Sequence, residues 1–340
     1  MLTSDQNRKI NEIVEEFKEA ADFYRMEYSE DLMGMFRDFG CMLLLKCKVD
    51  TEGKADLERL LEGRHKLKGT VKRQLMTVSE ELAQLWAPGE QDGSGDTGEY
   101  EGSQNVREMF QTALEEIFHF CLYSKGGKNR YLLPEETAKP LLRLLTFPEG
   151  MMAGNEGLVV LDTQCGAGSA LMAASRYLKN LRLMGYEKDE EMWAAAVIMS
   201  QLSGLEMELH LEDGARADLY ESCDLVISNP VYGTDTIKDE ELIDQLPGEL
   251  KTVRGRYHME LIRSMQALNF DGKAMLIVPN SFLFANRTES MKVRKWLLQS
   301  YSLEAIISLP EDTFMYSGVR SGVMVFSKPF MSGGWEGHTQ

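Results

Sequence analysis

The sequence predicts an α/β protein, a Rossmann-like doubly wound sheet behind an N-terminal helical domain. Three observations carry that class. Apolar residues recur at helical spacing near the start of the chain, short β-branched apolar runs bounded by polar residues appear after residue 157, and one of those runs leads through a glycine turn into a helix-like segment.

Taken in order, Ile10, Ile13, Val14, Phe17, Ala21 and Tyr24 form one helical stripe, with Glu15, Glu16, Lys18 and Glu19 on the other face. Core packing explains that stripe. The polar, glycine-rich stretch 89–98 marks a flexible loop, expected near 89–105, and 106–123 forms a second helical portion. Residues 1–126 are therefore expected as the helical domain, 127–330 as the α/β domain and 331–340 as a tail. The 340 residues exceed one usual domain, and 43% hydrophobic content suffices for a sizeable core.

The run Leu158-Val159-Val160-Leu161-Asp162 reads as the first buried strand, followed by the turn Thr163-Gln164-Cys165-Gly166-Ala167-Gly168 and a helix through Leu178. Gly166 and Gly168 let backbone pass close to a ligand, and the helix start offers unpaired N–H groups. A nucleotide phosphate loop would need Gly-Lys-Ser/Thr, and a dinucleotide fingerprint would need a third glycine where Met172 stands. An acid at the strand end suits a cationic, amino-acid-bearing ligand, which makes S-adenosylmethionine the natural candidate. The next strand, 181–186, ends in Glu187, nineteen residues after Gly168, placed to accept ribose hydroxyls. Another, Met207–Leu211, ends in Glu212-Asp213, and Asp213 is placed to accept from an adenine amino group.

The run Asp224-Leu225-Val226-Ile227-Ser228 delivers Asn229-Pro230-Val231-Tyr232 to the same edge. An exocyclic amine is a poor nucleophile because its lone pair is delocalised into the ring. Two acceptors aimed at its N–H groups favour the pyramidal form that attacks, and Asn229 Oδ1 with the Pro230 carbonyl are the candidates. Tyr232 offers a stacking face for a planar substrate. As a bare sequence, Asn-Pro is also a common turn opener.

With these motifs in view, residues 128–330 resemble the catalytic domain of adenine-N6 DNA methyltransferases, and most of all the modification subunit of type I restriction-modification systems. The resemblance rests on Asp162-Thr163-Gln164-Cys165-Gly166-Ala167-Gly168 against D-P-x-C-G-S-G and Asn229-Pro230-Val231-Tyr232-Gly233 against N-P-P-F/Y-G. The segments 272–280, 309–314 and 317–326 follow in the family's order. It implies a Rossmann-like S-adenosylmethionine-dependent methyltransferase fold. It also implies that Tyr131 and Pro134, in a run matching Y-x-T-P, join Asp162, Cys165, Gly166, Gly168, Glu187 and Asp213 at the cofactor, while Asn229, Pro230 and Tyr232 hold an adenine flipped out of duplex DNA. A separate specificity subunit is an implied partner, in keeping with the absence of a recognisable target-recognition segment after Phe330. Three departures stand out: Leu133 for threonine, Thr163 for proline and Val231 for the second proline, the last removing a fixed φ but no acceptor.

Other classes receive less support. Five cysteines without a C-x-x-C pair suit reduced thiols in a cytoplasm, five scattered histidines offer no metal spacing, and no apolar run reaches membrane-spanning length. His258 fits a structural role better than a substrate contact. The net charge of -17 argues against phosphate-driven DNA binding, although 64–73 and the trio Lys251, Arg254 and Arg256 form local basic patches. Methylation of a protein glutamine or of RNA, and a non-catalytic cofactor-binding assembly subunit, are the alternative expectations.

Overall fold

The computed structural model describes residues 2–28, 31–49, 55–62, 67, 69–86, 97–124, 132–145, 147, 157–220, 222–233, 235–311, 313–314 and 319–329. The chain forms two compact units. One comprises Met1–Arg130 with Glu190–Glu206, and the other Tyr131–Asp189 with Met207–Gln340.

The first unit is helical, with α1 (Ser4–Glu27), α2 (Met33–Lys46), α3 (Ala55–Glu62), α4 (Gly69–Leu85) and α5 (Thr97–Leu122). A capping box starts α1: Gln6 N donates to Thr3 Oγ1, and Thr3 N donates to Gln6 Oε1. The stripe read from the sequence is buried in full. Phe17 of α1 meets Phe39 of α2 edge-on, with ring centroids 5.0 Å apart. Because α5 begins at Thr97, the part of the expected loop from residue 97 onward is helix, and 89–96 lies outside the described residues.

The helix Glu190–Ser203, which in sequence lies between two strands of the other unit, also packs here. It is apolar nearly all round, so burial on several sides is what its composition demands. Trp193 is among its fully buried side chains, and the Arg59 guanidinium lies over that ring at 5.6 Å.

The second unit begins with α6 (Glu135–Leu144), β1 (Leu158–Asp162), α7 (Ser169–Tyr177) and β2 (Leu181–Glu187). Counting Glu190–Ser203 as α8, it continues with β3 (Met207–Leu211), β4 (Cys223–Ser228), α9 (Glu240–Asp244), α10 (Arg256–Gln266) and β5 (Leu268–Pro279). α11 (Asn280–Phe284), α12 (Thr288–Ser300), β6 (Ser302–Ser308) and β7 (Ser321–Ser327) complete it. The sheet order is β3-β2-β1-β4-β5-β7-β6, parallel from β3 to β5, with β7 antiparallel to both neighbours. Leu225, Val226 and Ile227 are fully buried, as their unbroken apolar run predicts for a central parallel strand. Asp224 locks the start of β4 between its neighbours by accepting from Val159 N and Asn269 Nδ2, each at 3.0 Å. From β1 the chain winds outward through β2 and β3, then returns to β4 on the other side. The carboxyl ends of β1 and β4 are therefore the topological switch point, where ligands of open α/β sheets bind.

Candidate active site

β1 delivers Asp162 to this edge, 2% exposed, its Oδ1 accepting from Gln164 N at 3.0 Å. Burial pushes the Asp162 carboxyl up to about 7, and the neighbouring Glu187 charge pushes the same way. The Gly166 N–H donates to Glu187 Oε2 at 3.0 Å, and Asp189 N donates to Oε1 at 2.7 Å, so the end of β2 is stitched to the glycine turn. Burial raises the Glu187 carboxyl as well. Gly166 and Gly168 adopt φ of 55° and 79°, left-handed values that glycine tolerates without strain, and Gly168 is the N-cap residue of α7. Cys165 is buried, its N–H donating to the Tyr186 carbonyl at 2.9 Å. The structure thus brings Asp162, Cys165, Gly166, Gly168 and Glu187 together.

Tyr131 lies outside the described residues. Pro134 is the N-cap residue of α6, and the preceding Leu133 N–H donates to Ser169 Oγ at 3.2 Å, joining this segment to the first turn of α7. Leucine in place of threonine leaves that backbone donor intact. Thr163, where the family motif has proline, is buried with its hydroxyl 2.5 Å from Ser264 Oγ of α10, and Gln164 Nε2 donates to it at 2.7 Å. Side-chain bonding there restrains the turn in the absence of a proline ring.

Asp213, beyond β3, is already neutralised: its Oδ2 receives Arg256 Nη1 at 2.9 Å, while Oδ1 accepts from Ala215 N at 3.2 Å. A carboxylate has about four lone-pair positions, so acceptor capacity remains. Arg256 also reaches Glu260 Oε1 at 3.4 Å. Glu260 is 4% exposed, and burial pushes its carboxyl up to about 7 against the pull of Lys188 and Arg256. Gly214 permits the close approach of this loop to β1, because a Cβ there would overlap the Thr163 carbonyl.

At the end of β4, Asn229 is partly exposed, Pro230 buried, Val231 44% exposed and Tyr232 partly buried. β1 and β4 pair directly, Leu161 opposite Val226, which sets the acid-lined turn and the Asn229 segment side by side. Tyr232 is held from two directions. Its hydroxyl lies 3.3 Å from Ser321 Oγ, and its ring meets Tyr257 of α10 edge-on with centroids 5.7 Å apart. Tyr257 in turn meets Phe282 at 5.9 Å.

Model comparison makes the family plain. Residues 107–332, well over half of the chain, match the N-6 DNA Methylase family model. The chain belongs to the N-6 DNA methylase family. It is 24% identical over 298 residues to the type I restriction enzyme MjaVII methylase subunit of Methanocaldococcus jannaschii, covering 80% of this chain and 47% of that one. It is 27% identical over 191 residues to the type II restriction enzyme and methyltransferase RM.BcgI of Heyndrickxia coagulans, covering 51% and 28%. The chain spans about half the length, or less, of these curated relatives. In fold it resembles a putative class I S-adenosylmethionine-dependent methyltransferase of Listeria monocytogenes (TM-score 0.65, 17% identity, 96% of this chain and 90% of that one). It is similar also to a type I restriction-modification system methyltransferase subunit of Streptococcus thermophilus (TM-score 0.60, 16% identity, 95% and 86%).

Seen within the N-6 DNA methylase family, the basic trio near the Asn229 segment is structurally committed. Arg256 pairs with Asp213 and Glu260, Lys251 with Asp244, and Arg254 Nη1 donates to the Lys251 and Val253 carbonyls. Of the other basic patch, 64–66 and 68 lie outside the described residues. His258 sets its Nε2 2.9 Å from Ser290 Oγ and its Nδ1 3.5 Å from Glu289, with burial lowering its proton affinity. Sequence reasoning missed Gly214, Tyr257, Glu260 and Ser264. None belongs to a local motif; only their spacing on α10, with 257, 260 and 264 on one face, hints that three of them act on one edge. Among the described residues no helix is long and apolar enough to cross a membrane, no His, Cys, Asp and Glu group is placed to hold a metal ion, and the five cysteines, all buried, form no disulfide.

Proposed function

We propose that this chain is an S-adenosylmethionine-dependent methyltransferase acting on the N6 amino group of adenine in DNA, within a restriction-modification-type assembly. The observation that carries the reading is the pairing of an acid-lined glycine turn on β1 with the Asn229 segment on β4 at one switch point, in a member of the N-6 DNA methylase family.

The residues fit the cofactor. Asp162 is a buried and Glu187 a partly buried carboxyl, and the principal charged neighbour of each is itself an acid, an arrangement that a cationic ligand relieves. Asp162, Gly166, Gly168 and Glu187 would hold it, with Cys165, Pro134 and Tyr131 alongside and Asp213 toward its adenine. When bound, S-adenosylmethionine supplies a methyl group already activated on a sulfonium. Asn229 Oδ1 and the Pro230 carbonyl accept the two N–H groups of a flipped adenine, and Tyr232 stacks on its ring. Flipping costs a few kcal/mol, and stacking on one aromatic returns roughly 1–3 kcal/mol. A separate specificity subunit would bring cationic surface to a chain whose net charge is -17.

One observation favours a second reading. The segment after the Asn229 motif carries Asp235, Asp239, Glu240, Glu241, Asp244 and Glu249, which repels a polyanion and would tolerate a protein amide as substrate. Incubation with methyl-labelled cofactor, duplex DNA and total protein separates the two: label in N6-methyladenine supports the DNA reading, and label confined to protein rejects it.

A further inference from the structure

We propose that the Tyr257 hydroxyl donates a hydrogen bond to a ring nitrogen of the target base, making it a specificity-determining group beside Asn229. This inference rests on the proposed adenine methylation.

Tyr257 occupies the first turn of α10 and is 7% exposed, and its hydroxyl has no hydrogen-bond partner among the described residues. Ser228 Oγ, immediately before Asn229 and fully buried, is in the same condition. A buried hydroxyl without a partner destabilises the fold that holds it. Phenylalanine would pack against Tyr232, Phe282 and His258 equally well, so packing does not account for the oxygen. Nor can the residue easily turn away. The backbone just before it is clamped by Glu289, whose carboxylate accepts from Arg254 N at 2.9 Å and Gly255 N at 3.0 Å. Arg256 is tied to Asp213 and Glu260.

The chemistry of the neighbouring groups defines what the hydroxyl can read. Asn229 Oδ1 and the Pro230 carbonyl are acceptors, suited to an amino group and blind to ring nitrogens, which are themselves acceptors. A donor is the complement that this pair lacks. Burial holds the phenol far above its ordinary range, so it keeps its proton at any working pH. Tyr232, the ring against which a base would stack, is the neighbour that Tyr257 touches edge-on. Discrimination by such a site is strong because a base without the acceptor leaves the hydroxyl unpaired.

The test uses the purified full chain and Tyr257→Phe, with short single-stranded oligonucleotides carrying one adenine, 1-deazaadenine, 3-deazaadenine or 7-deazaadenine, binding being read by fluorescence anisotropy without turnover. The wild type is expected to prefer adenine over one of the three analogues on the order of tenfold, which is about 1.4 kcal/mol. Tyr257→Phe should bind all four alike, with a melting temperature equal to or above that of the wild type. A preference that survives in Tyr257→Phe, or is missing from the wild type, overturns the assignment of Tyr257 while leaving adenine methylation standing. A melting temperature several degrees lower in the variant overturns it too, by showing that the hydroxyl is bonded internally. Absence of binding to every oligonucleotide at low salt overturns the assignment of Tyr257 and leaves adenine methylation by the full assembly standing.

Discussion

Asp162 and Glu260 are buried carboxyls at the sheet edge, and their protonation links stability to ligand binding. Asp162 titrates near 4 in an unfolded chain and is pushed up to about 7 here, as is Glu260. The folded state therefore binds more protons between those values, and the stability these groups contribute is complete below about pH 4 and lost as pH rises through about 7. The ligand-free melting temperature, measured from about pH 5 to about pH 8, is expected to fall on this account, and Asp162→Asn should flatten the slope. Binding of the cationic cofactor should strengthen over the same interval. At Asn229 the expectation is a division of labour: Asn229→Ala should lower methyl transfer by about a thousandfold or more (roughly 4 kcal/mol of barrier), with cofactor affinity intact by calorimetry. Asp162→Ala should weaken cofactor binding itself, and equal loss of binding in both variants would refute the assignment.

Between elements, the contacts that frame the site are backbone approaches and long-range polar pairs. Gly214→Ala places a methyl group against the Thr163 carbonyl and is expected to destabilise by about 1–3 kcal/mol, read as a lower melting temperature with weaker cofactor binding. Ser264→Ala removes one of the two side-chain partners of the Thr163 hydroxyl and should cost about 1 kcal/mol. The strands were readable because central parallel strands, buried on both faces, appear as unbroken apolar runs such as 225–227. The glycine turn was readable because it is local. The Thr163–Ser264 bond was not, since its two residues stand 101 positions apart and neither belongs to an apolar pattern. The membership of Glu190–Ser203 in the helical unit was equally hidden, because a helix apolar on all sides names no partner.

Across the whole molecule, charge is the dominant constraint. A chain of net charge -17, in which Lys251 and Arg256 are paired with acids of their own chain, has little with which to hold DNA by itself. Its own duplex affinity is expected to be weak, to fall further with added salt and to rise in the presence of a basic partner subunit, which titration at two salt concentrations would show. The most direct measurement is N6-methyladenine content, by mass spectrometry, in DNA from methylation-free cells expressing this chain together with the genes that flank its own, beside the same cells carrying Asn229→Ala. The expected result is N6-methyladenine in the first and none in the second. Equal content in both would contradict adenine methylation at the Asn229 edge.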